Sequence, residues 1–279
     1  MIFPILQQTS HDQLASGVAF LNDETMRLFL IRHGETVDNV ANLYAGSRDS
    51  ALTAHGVMQA QKLASHLAEH VTIGRIFSSN LSRAVHTAQA ILDAQKCAKD
   101  LKLVQAPELR EKDFGTGEGA KFGSATKHEG SETPQAMRKR IDVFLDEHLP
   151  RLHEDSTVCI VAHGIILGTL YKALRDRIPS TSTAPDAAPE GRAESAFARP
   201  TWSNTGYVEA LITTNASTTD KNVQMRVVKV NSVEHLKGLR KTRGGIGSAK
   251  FDAKQKTMDS FFQSVSRKRK IEDEDIVSR

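Results

Sequence analysis

Apolar positions along the chain switch between short unbroken runs and helical spacing. From Leu28 to Ile31 four apolar residues run together, as in a strand buried on both faces, and the run stops at Arg32-His33-Gly34-Glu35-Thr36. Leu52-Thr53 leads into Ala54–His70, where Val57, Ala60, Leu63, Ala64, Leu67 and Ala68 recur at helical spacing and Thr53 is placed to cap the first turn. Ile73–Ser78 is a second, short strand. A helix follows from Leu81 to about Gln95, with Ala84, Ala88, Ile91 and Leu92 on its buried face. Leu101–Val104 makes a third strand, and Pro107–Gly130 a polar, glycine-rich loop. Thr133 as N-cap and Pro134 in the first turn open the next helix, striped by Met137, Ile141, Phe144 and Leu145, with Pro150 just past its end. A fourth apolar run, Thr157–Ala162, delivers His163-Gly164 and is followed by a helix over Ile165–Arg175.

Two more strands, Thr205–Ile212 and Val223–Val230, flank the polar run Thr213–Asn222 and predict a long-turned hairpin at an edge of the sheet. Strands alternating with helices predict an α/β fold: a three-layer sandwich with a mainly parallel central sheet flanked by helices. Residues 1–25 lie outside the pattern and predict a poorly ordered extension, since Met26-Arg27 would itself make a natural start. Residues 178–200, rich in Pro, Ala, Ser and Thr, predict a disordered insertion loop. The folded domain then spans 26–236, and 237–279 is a disordered tail.

A chain of 279 residues with 39% hydrophobic and 25% charged residues is long and apolar enough for a sizeable core. Residues 236–279 hold twelve Lys and Arg against six Asp and Glu, so the tail carries +6 of a total of +4 and the rest is slightly acidic. The basic character belongs to the tail, which points to an address or docking segment rather than a catalytic surface. The two cysteines, Cys97 and Cys159, lack metal-ligand spacing, which speaks against a disulfide framework or zinc site and for a reducing compartment. No run approaches the roughly 18–20 apolar residues of a membrane span. The N-terminus has no basic segment of the kind that opens a signal peptide.

Two strand ends therefore present histidines, His33 beside Arg32 and His163, and the carboxyl ends of strands are where open α/β sheets bind ligands. RHGETVDN, LTAHGVMQA, SSNLSRAVHTAQ, LREKDFGTGEG and VAHG, in that order, resemble the histidine phosphatase superfamily, the phosphoglycerate-mutase-like group of mutases and phosphatases. The resemblance covers residues 27 to about 230. It implies His33 as the nucleophile that forms a phosphohistidine, with Arg32, Arg83 and His163 around the phosphate and Asn39 as a neutral donor in the same pocket. In Leu109-Arg110-Glu111 it implies Glu111 as proton donor and acceptor, with Glu108 and Asp113 as nearby rivals. Gly34 is expected to clear the path of the phosphate, Glu35 to be structural, and Ser47 and Arg48 to face the ligand. The remaining histidines are expected to be ordinary surface or core residues. No carboxylate cluster asks for a metal, so metal-independent catalysis without a cofactor is expected. Mutases of the family this chain resembles carry a long insertion after this glutamate to enclose a bisphosphate, whereas here only about twenty residues separate Glu111 from Glu132, so the resemblance favours hydrolysis over mutase chemistry.

The tail has its own motif. Gln255, Met258, Phe261 and Phe262 in QKTMDSFF resemble the PIP box that docks proteins on the sliding clamp PCNA, with one helical turn aligning the three apolar side chains as a plug. Arg267-Lys268-Arg269-Lys270 predicts a nuclear localisation signal, and the acidic run Glu272–Asp275 argues against more than weak DNA contact. The combined expectation is a nuclear, clamp-docked phosphatase acting on a small phosphorylated substrate or a phosphoprotein. The alternatives are a mutase-type phosphotransferase and a non-catalytic phospho-ligand-binding adaptor of the clamp.

Overall fold

A computed structural model of the chain describes residues 24–95, 100–124, 128–152, 157–179, 198–215 and 222–240. The N-terminal segment to residue 23, most of the expected insertion loop, the PIP-box-like stretch 255–262 and the basic cluster 267–270 lie outside the described residues.

Six strands form one sheet: β1 (Glu24–Arg32), β2 (Arg75–Ser78), β3 (Leu103–Gln105), β4 (Thr157–Ala162), β5 (Tyr207–Asn215) and β6 (Asn222–Ser232), in the spatial order β3-β2-β4-β1-β5-β6. The four strands from β3 to β1 are parallel, and β5 and β6 add an antiparallel ribbon beside β1. Period-two alternation splits the core into two layers. Leu28 and Leu30 of β1 and Val158, Ile160 and Ala162 of β4 face one cluster, while Phe29, Ile31, Cys159 and Val161 face the other. Helices α4 (Pro134–Leu152) and α5 (Gly164–Arg177) cover the first side through Ile141, Phe144, Leu167 and Leu170. Helices α2 (Ala54–His70) and α3 (Ser82–Ala94) cover the second through Leu63, Leu67, Ala84 and Ile91. This is the expected three-layer sandwich.

Local chemistry explains most of the boundaries. Thr53 Oγ1 accepts from Gly56 N at 2.9 Å, and Thr133 Oγ1 from Ala136 N at 3.1 Å, so both expected caps form. Three boundaries differ from the sequence pattern. β1 begins at Glu24, because Glu24 and Thr25 pair with Thr214 and Thr213 of β5. α4 runs through Pro150, which removes one hydrogen bond only two residues from the helix end. The expected edge hairpin is half internal: β5 pairs with β1 and β6 alike, and the ion pair of its Glu209 with Arg27 at 3.4 Å accounts for a charge on an inner strand. A short helix, α1 (Val37–Ala41), also forms directly after the first motif, closed by a reciprocal capping box between Thr36 and Asn39.

Candidate active site

Adjacent parallel strands bring the two motif histidines together. Arg32 of β1 lies opposite Ala162 of β4 in register, so His33 and His163 leave neighbouring strand ends side by side, with ring centroids 5.1 Å apart. His33 is 4% exposed and His163 fully buried.

Hydrogen bonds fix which nitrogens are available. His33 Nδ1 lies 2.7 Å from the Gly34 carbonyl oxygen, an obligate acceptor, so Nδ1 carries the proton and Nε2 keeps its lone pair. His163 Nδ1 accepts from Arg83 Nε at 3.1 Å, so its proton sits on Nε2, which is buried and has no partner among the described residues. Burial, and then the positive charge of Arg83, hold both imidazoles well below the usual histidine pKa, hence neutral.

Two arginines, Arg83 buried and Arg32 half-buried, complete the positive end. Arg83 is 1% exposed, and burial pushes its pKa down to about 10. Its other donors hold the carbonyls of Gly46 (2.7 Å) and Arg48 (2.8 Å), leaving two of its five N–H groups uncommitted. Arg32 gives one N–H to the Trp202 carbonyl at 2.6 Å, while its buried Nε has no partner among the described residues. Both arginines line a cavity of about 350 Å³ with His33, Asn39 and Glu111. Unmatched donors on Arg32, Arg83 and His163 beside the neutral His33 imidazole suit a phosphate dianion, because buried N–H groups without partners are costly until an anion fills them.

Glu111 meets the same cavity from the loop after β3. Its Oε1 accepts from Lys112 N (2.9 Å) and Ile166 N (3.1 Å), and its Oε2 from Ile165 N (3.1 Å), so the carboxylate sits on the first turn of α5. Arg140 of α4 holds the backbone beneath it, donating to the carbonyls of Glu108, Arg110 and Glu111. Arg140 is itself fixed by both oxygens of Glu132, at 2.8 and 3.0 Å. Glu108 and Asp113 do not line the cavity, and Asp113 Oδ1 is occupied by Gly115 N. Among the described residues no group of three or more His, Cys, Asp and Glu is arranged to hold a metal ion.

Three expectations need correction. Ser47 is not on the cavity wall: its N–H is bound by Glu118 Oε1 and its carbonyl by Arg110, and Ala45 and Gly46 line the cavity instead. Arg48 turns away to Asp38, at 3.0 Å. Gly34 is needed for packing rather than for phosphate access, because a Cβ there would lie 2.6 Å from the Gly56 carbonyl oxygen at the start of α2. Asn39 does line the cavity, but its Oδ1 is taken by Thr36 N and Asn204 Nδ2, which leaves its amide nitrogen as the donor. Glu35 accepts from Thr53 Oγ1 at 2.9 Å and braces α2, as expected of a structural residue.

Sequence reasoning missed the turn at 201–206. Asn204 Nδ2 donates to the His33 carbonyl at 3.2 Å, and Thr205 N to the Arg32 and His33 carbonyls at 3.1 and 3.2 Å. Thr205 adopts a left-handed φ of 54° and therefore precedes β5 rather than opening it. Its hydroxyl donates to the Asn204 carbonyl, so His235 Nε2 must donate to Thr205 Oγ1, at 2.9 Å. His235 is thus buried neutral, its pKa pushed down to about 4 chiefly by burial.

A pH dependence follows. His33, His163 and His235 all have folded pKa values below their unfolded value of about 6.5, so the unfolded chain takes up protons first. Their contribution is complete above pH ~6.5 and is lost as pH falls towards about 4, where His235 titrates in the folded protein. Melting temperature between pH 7.5 and 4.5, in phosphate-free buffer, is expected to decline, and His235→Asn is expected to flatten that decline. An unchanged slope in the variant would place the acid sensitivity elsewhere.

The sequence profile of the histidine phosphatase superfamily (branch 1) matches residues 28–185. The chain belongs to that superfamily. A protein of Schizosaccharomyces pombe named as a probable phosphatase is 30% identical over 268 residues, covering 90% of this chain and 85% of its own. A Proteus mirabilis protein named as a probable phosphoglycerate mutase, GpmB, is 34% identical over 170 residues, covering 53% and 74%. The crystal structure of the alpha-ribazole phosphatase from Shigella flexneri superposes with a TM-score of 0.54 at 26% identity, over 75% of this chain and 97% of that one. This superfamily chain thus has both phosphatases and mutases among its relatives.

Proposed function

We propose that the protein is a metal-independent phosphatase that hydrolyses a phosphomonoester through a phosphohistidine on His33. The observation that carries this reading is the His33 Nδ1–Gly34 bond, which directs a neutral Nε2 lone pair to a cavity fringed by unmatched buried donors. In the first step Nε2 bonds to phosphorus and the ester P–O bond breaks, with Glu111, entering protonated, giving its proton to the leaving oxygen. In the second, the Glu111 carboxylate takes a proton from water, the water oxygen bonds to phosphorus, and the P–N bond breaks to release phosphate and neutral His33. Arg32, Arg83, Asn39 and the His163 Nε2–H stabilise the charge on the transferred group.

Hydrolysis is favoured over mutase chemistry by the cavity's charge. Among the described residues its cationic lining side chains are Arg32 and Arg83, both at the phosphate end, so no further cation in the lining remains to neutralise the second phosphate of a bisphosphate. The test is release of p-nitrophenol from p-nitrophenyl phosphate by the full chain in EDTA. No hydrolysis across a pH series and a panel of small phosphate esters and phosphopeptides would favour the adaptor reading.

We further propose that the tail docks the enzyme on the PCNA clamp in the nucleus, with the basic cluster 267–270 as its import signal. Support comes from the eight-residue fit of 255–262 and from paired phenylalanines in a segment with no other large apolar cluster. A labelled 250–267 peptide is expected to bind the clamp with micromolar affinity or better (Kd about 1 µM, equivalent to about 8 kcal/mol). Phe261→Ala with Phe262→Ala is expected to abolish binding, and an unchanged isotherm would remove the plug.

A further inference from the structure

We infer that the substrates are small phosphomonoesters whose leaving group carries an apolar ring, received by an aromatic wall of Tyr44, Phe114, Phe122 and Trp202; this rests on the phosphatase reading above. Away from Arg32, Arg83, His33 and Glu111, the cavity is lined mainly by Leu43, Tyr44, Phe114, Phe122, Ile165 and Trp202. Its volume of about 350 Å³ is at the small end for ligand sites, enough for a phosphate with one modest organic group.

The wall is built rather than incidental. The Tyr44 ring lies 4.4 Å from that of Phe114 and 4.5 Å from that of Phe122, centroid to centroid. The two loops that carry them are joined by backbone bonds: Tyr44 N to the Ala120 carbonyl (2.9 Å), Gly119 N to the Tyr44 carbonyl (2.7 Å) and Phe122 N to the Asn42 carbonyl (2.9 Å). Tyr44 Oη also accepts from Gly123 N at 3.2 Å, so the ring is held at both ends. Despite this support Phe122 remains 61% exposed and Ile165 39% exposed. Two of the six large apolar side chains exposed among the described residues therefore line this one cavity, and such exposure is relieved when an apolar group covers it. Trp202 adds a buried indole Nε1–H with no partner among the described residues, a donor for a polar atom on the ring or at its attachment.

The same wall disfavours anionic leaving groups. Among the described residues the cavity lining offers a carboxylate no cation beyond Arg32 and Arg83, Lys112 Nζ lying outside that lining at 5.3 Å from the Phe114 ring centroid, and the carboxylate would share the cavity with Glu111.

The experiment compares 2-phenylethyl phosphate, ethyl phosphate and 3-phosphoglycerate, all with alkyl leaving oxygens, so that differences reflect recognition rather than intrinsic reactivity. The full chain is expected to show kcat/KM at least about tenfold higher for the phenylethyl ester than for the ethyl ester. Phe122→Ala and Trp202→Phe are each expected to lower that ratio several-fold, and Phe122 is exposed enough for its variant to fold. A ratio within about twofold of unity, or a preference for 3-phosphoglycerate, would overturn the inference while leaving the phosphatase reading intact. Calorimetric binding of benzylphosphonate and methylphosphonate reads the wall without turnover. Tighter benzylphosphonate binding by a protein that hydrolyses none of the esters would uphold the wall and sink the phosphatase reading. Equal or absent binding of both would overturn the wall.

Discussion

His33→Ala is expected to lower kcat for p-nitrophenyl phosphate by at least about a thousandfold, because it removes the atom to which phosphorus must bond. No neighbour can take over. His163, the other strand-end imidazole, has its Nδ1 held by Arg83 and a proton on Nε2, so it offers a donor and no lone pair. Arg32, Arg83 and His163 Nε2–H would still gather the phosphate, so binding of inorganic phosphate is expected to persist in the variant. Rapid acid-free quenching should trap a labelled phosphoenzyme in the wild type and none in the variant. Activity within tenfold of wild type would move the nucleophile to another residue. The pKa of His33 sharpens the case: burial and two guanidinium charges keep it neutral at pH 6.5, where an ordinary histidine would be half protonated.

Glu111→Gln is expected to cost about 10²–10⁴ in turnover of alkyl phosphates, the usual range for a positioned acid–base group. The loss should be unequal between the steps. p-Nitrophenolate needs no proton to leave, so the first step should survive and the second stall, giving a stoichiometric burst and an accumulated phosphohistidine. A uniform loss with no burst would argue that Glu111 shapes the site without moving protons. The structure adds a second readout. Both carboxylate oxygens accept backbone N–H groups, from Lys112, Ile165 and Ile166, and an amide can present an acceptor on only one side. The variant is therefore expected to lose about 1–2 kcal/mol of stability, measured by denaturant melts, as one α5 N–H faces an NH₂ group.

The parts of the site that were legible in the sequence are those where a periodic pattern stops abruptly. Leu28–Ile31 of β1 and Val158–Ala162 of β4 are unbroken apolar runs because both faces are covered, and they stop at Arg32-His33 and at His163, so the pattern alone located both histidines. Arg83 and Glu111 were found from the motifs that surround them. What escaped has no period to betray it. Trp202, Asn204 and Thr205 form a turn, and the 170 residues between Arg32 and Trp202 conceal the contact of their side chain and carbonyl. Ser47 was misplaced because the Arg83 guanidinium pulls the carbonyls on either side of it, and the loop turns at Gly46, with φ of 60°. The role of Gly34 was misread for a related reason: the close approach that forbids a side chain is to Gly56 of α2, a contact with no trace in the local sequence.

The turn at 201–206 also sets an order of events during synthesis. Every residue proposed for chemistry has left the ribosome once His163 has emerged, and the family profile is exhausted by residue 185. The groups that secure the Arg32 and His33 carbonyls, and the His235 ring that secures Thr205 in turn, arrive dozens of residues later. At about 5–20 residues per second a nascent chain spends several seconds with its proposed catalytic residues present and the Arg32 and His33 carbonyls unfastened. The proposed site is thus fastened from behind, by the 201–206 turn and by His235.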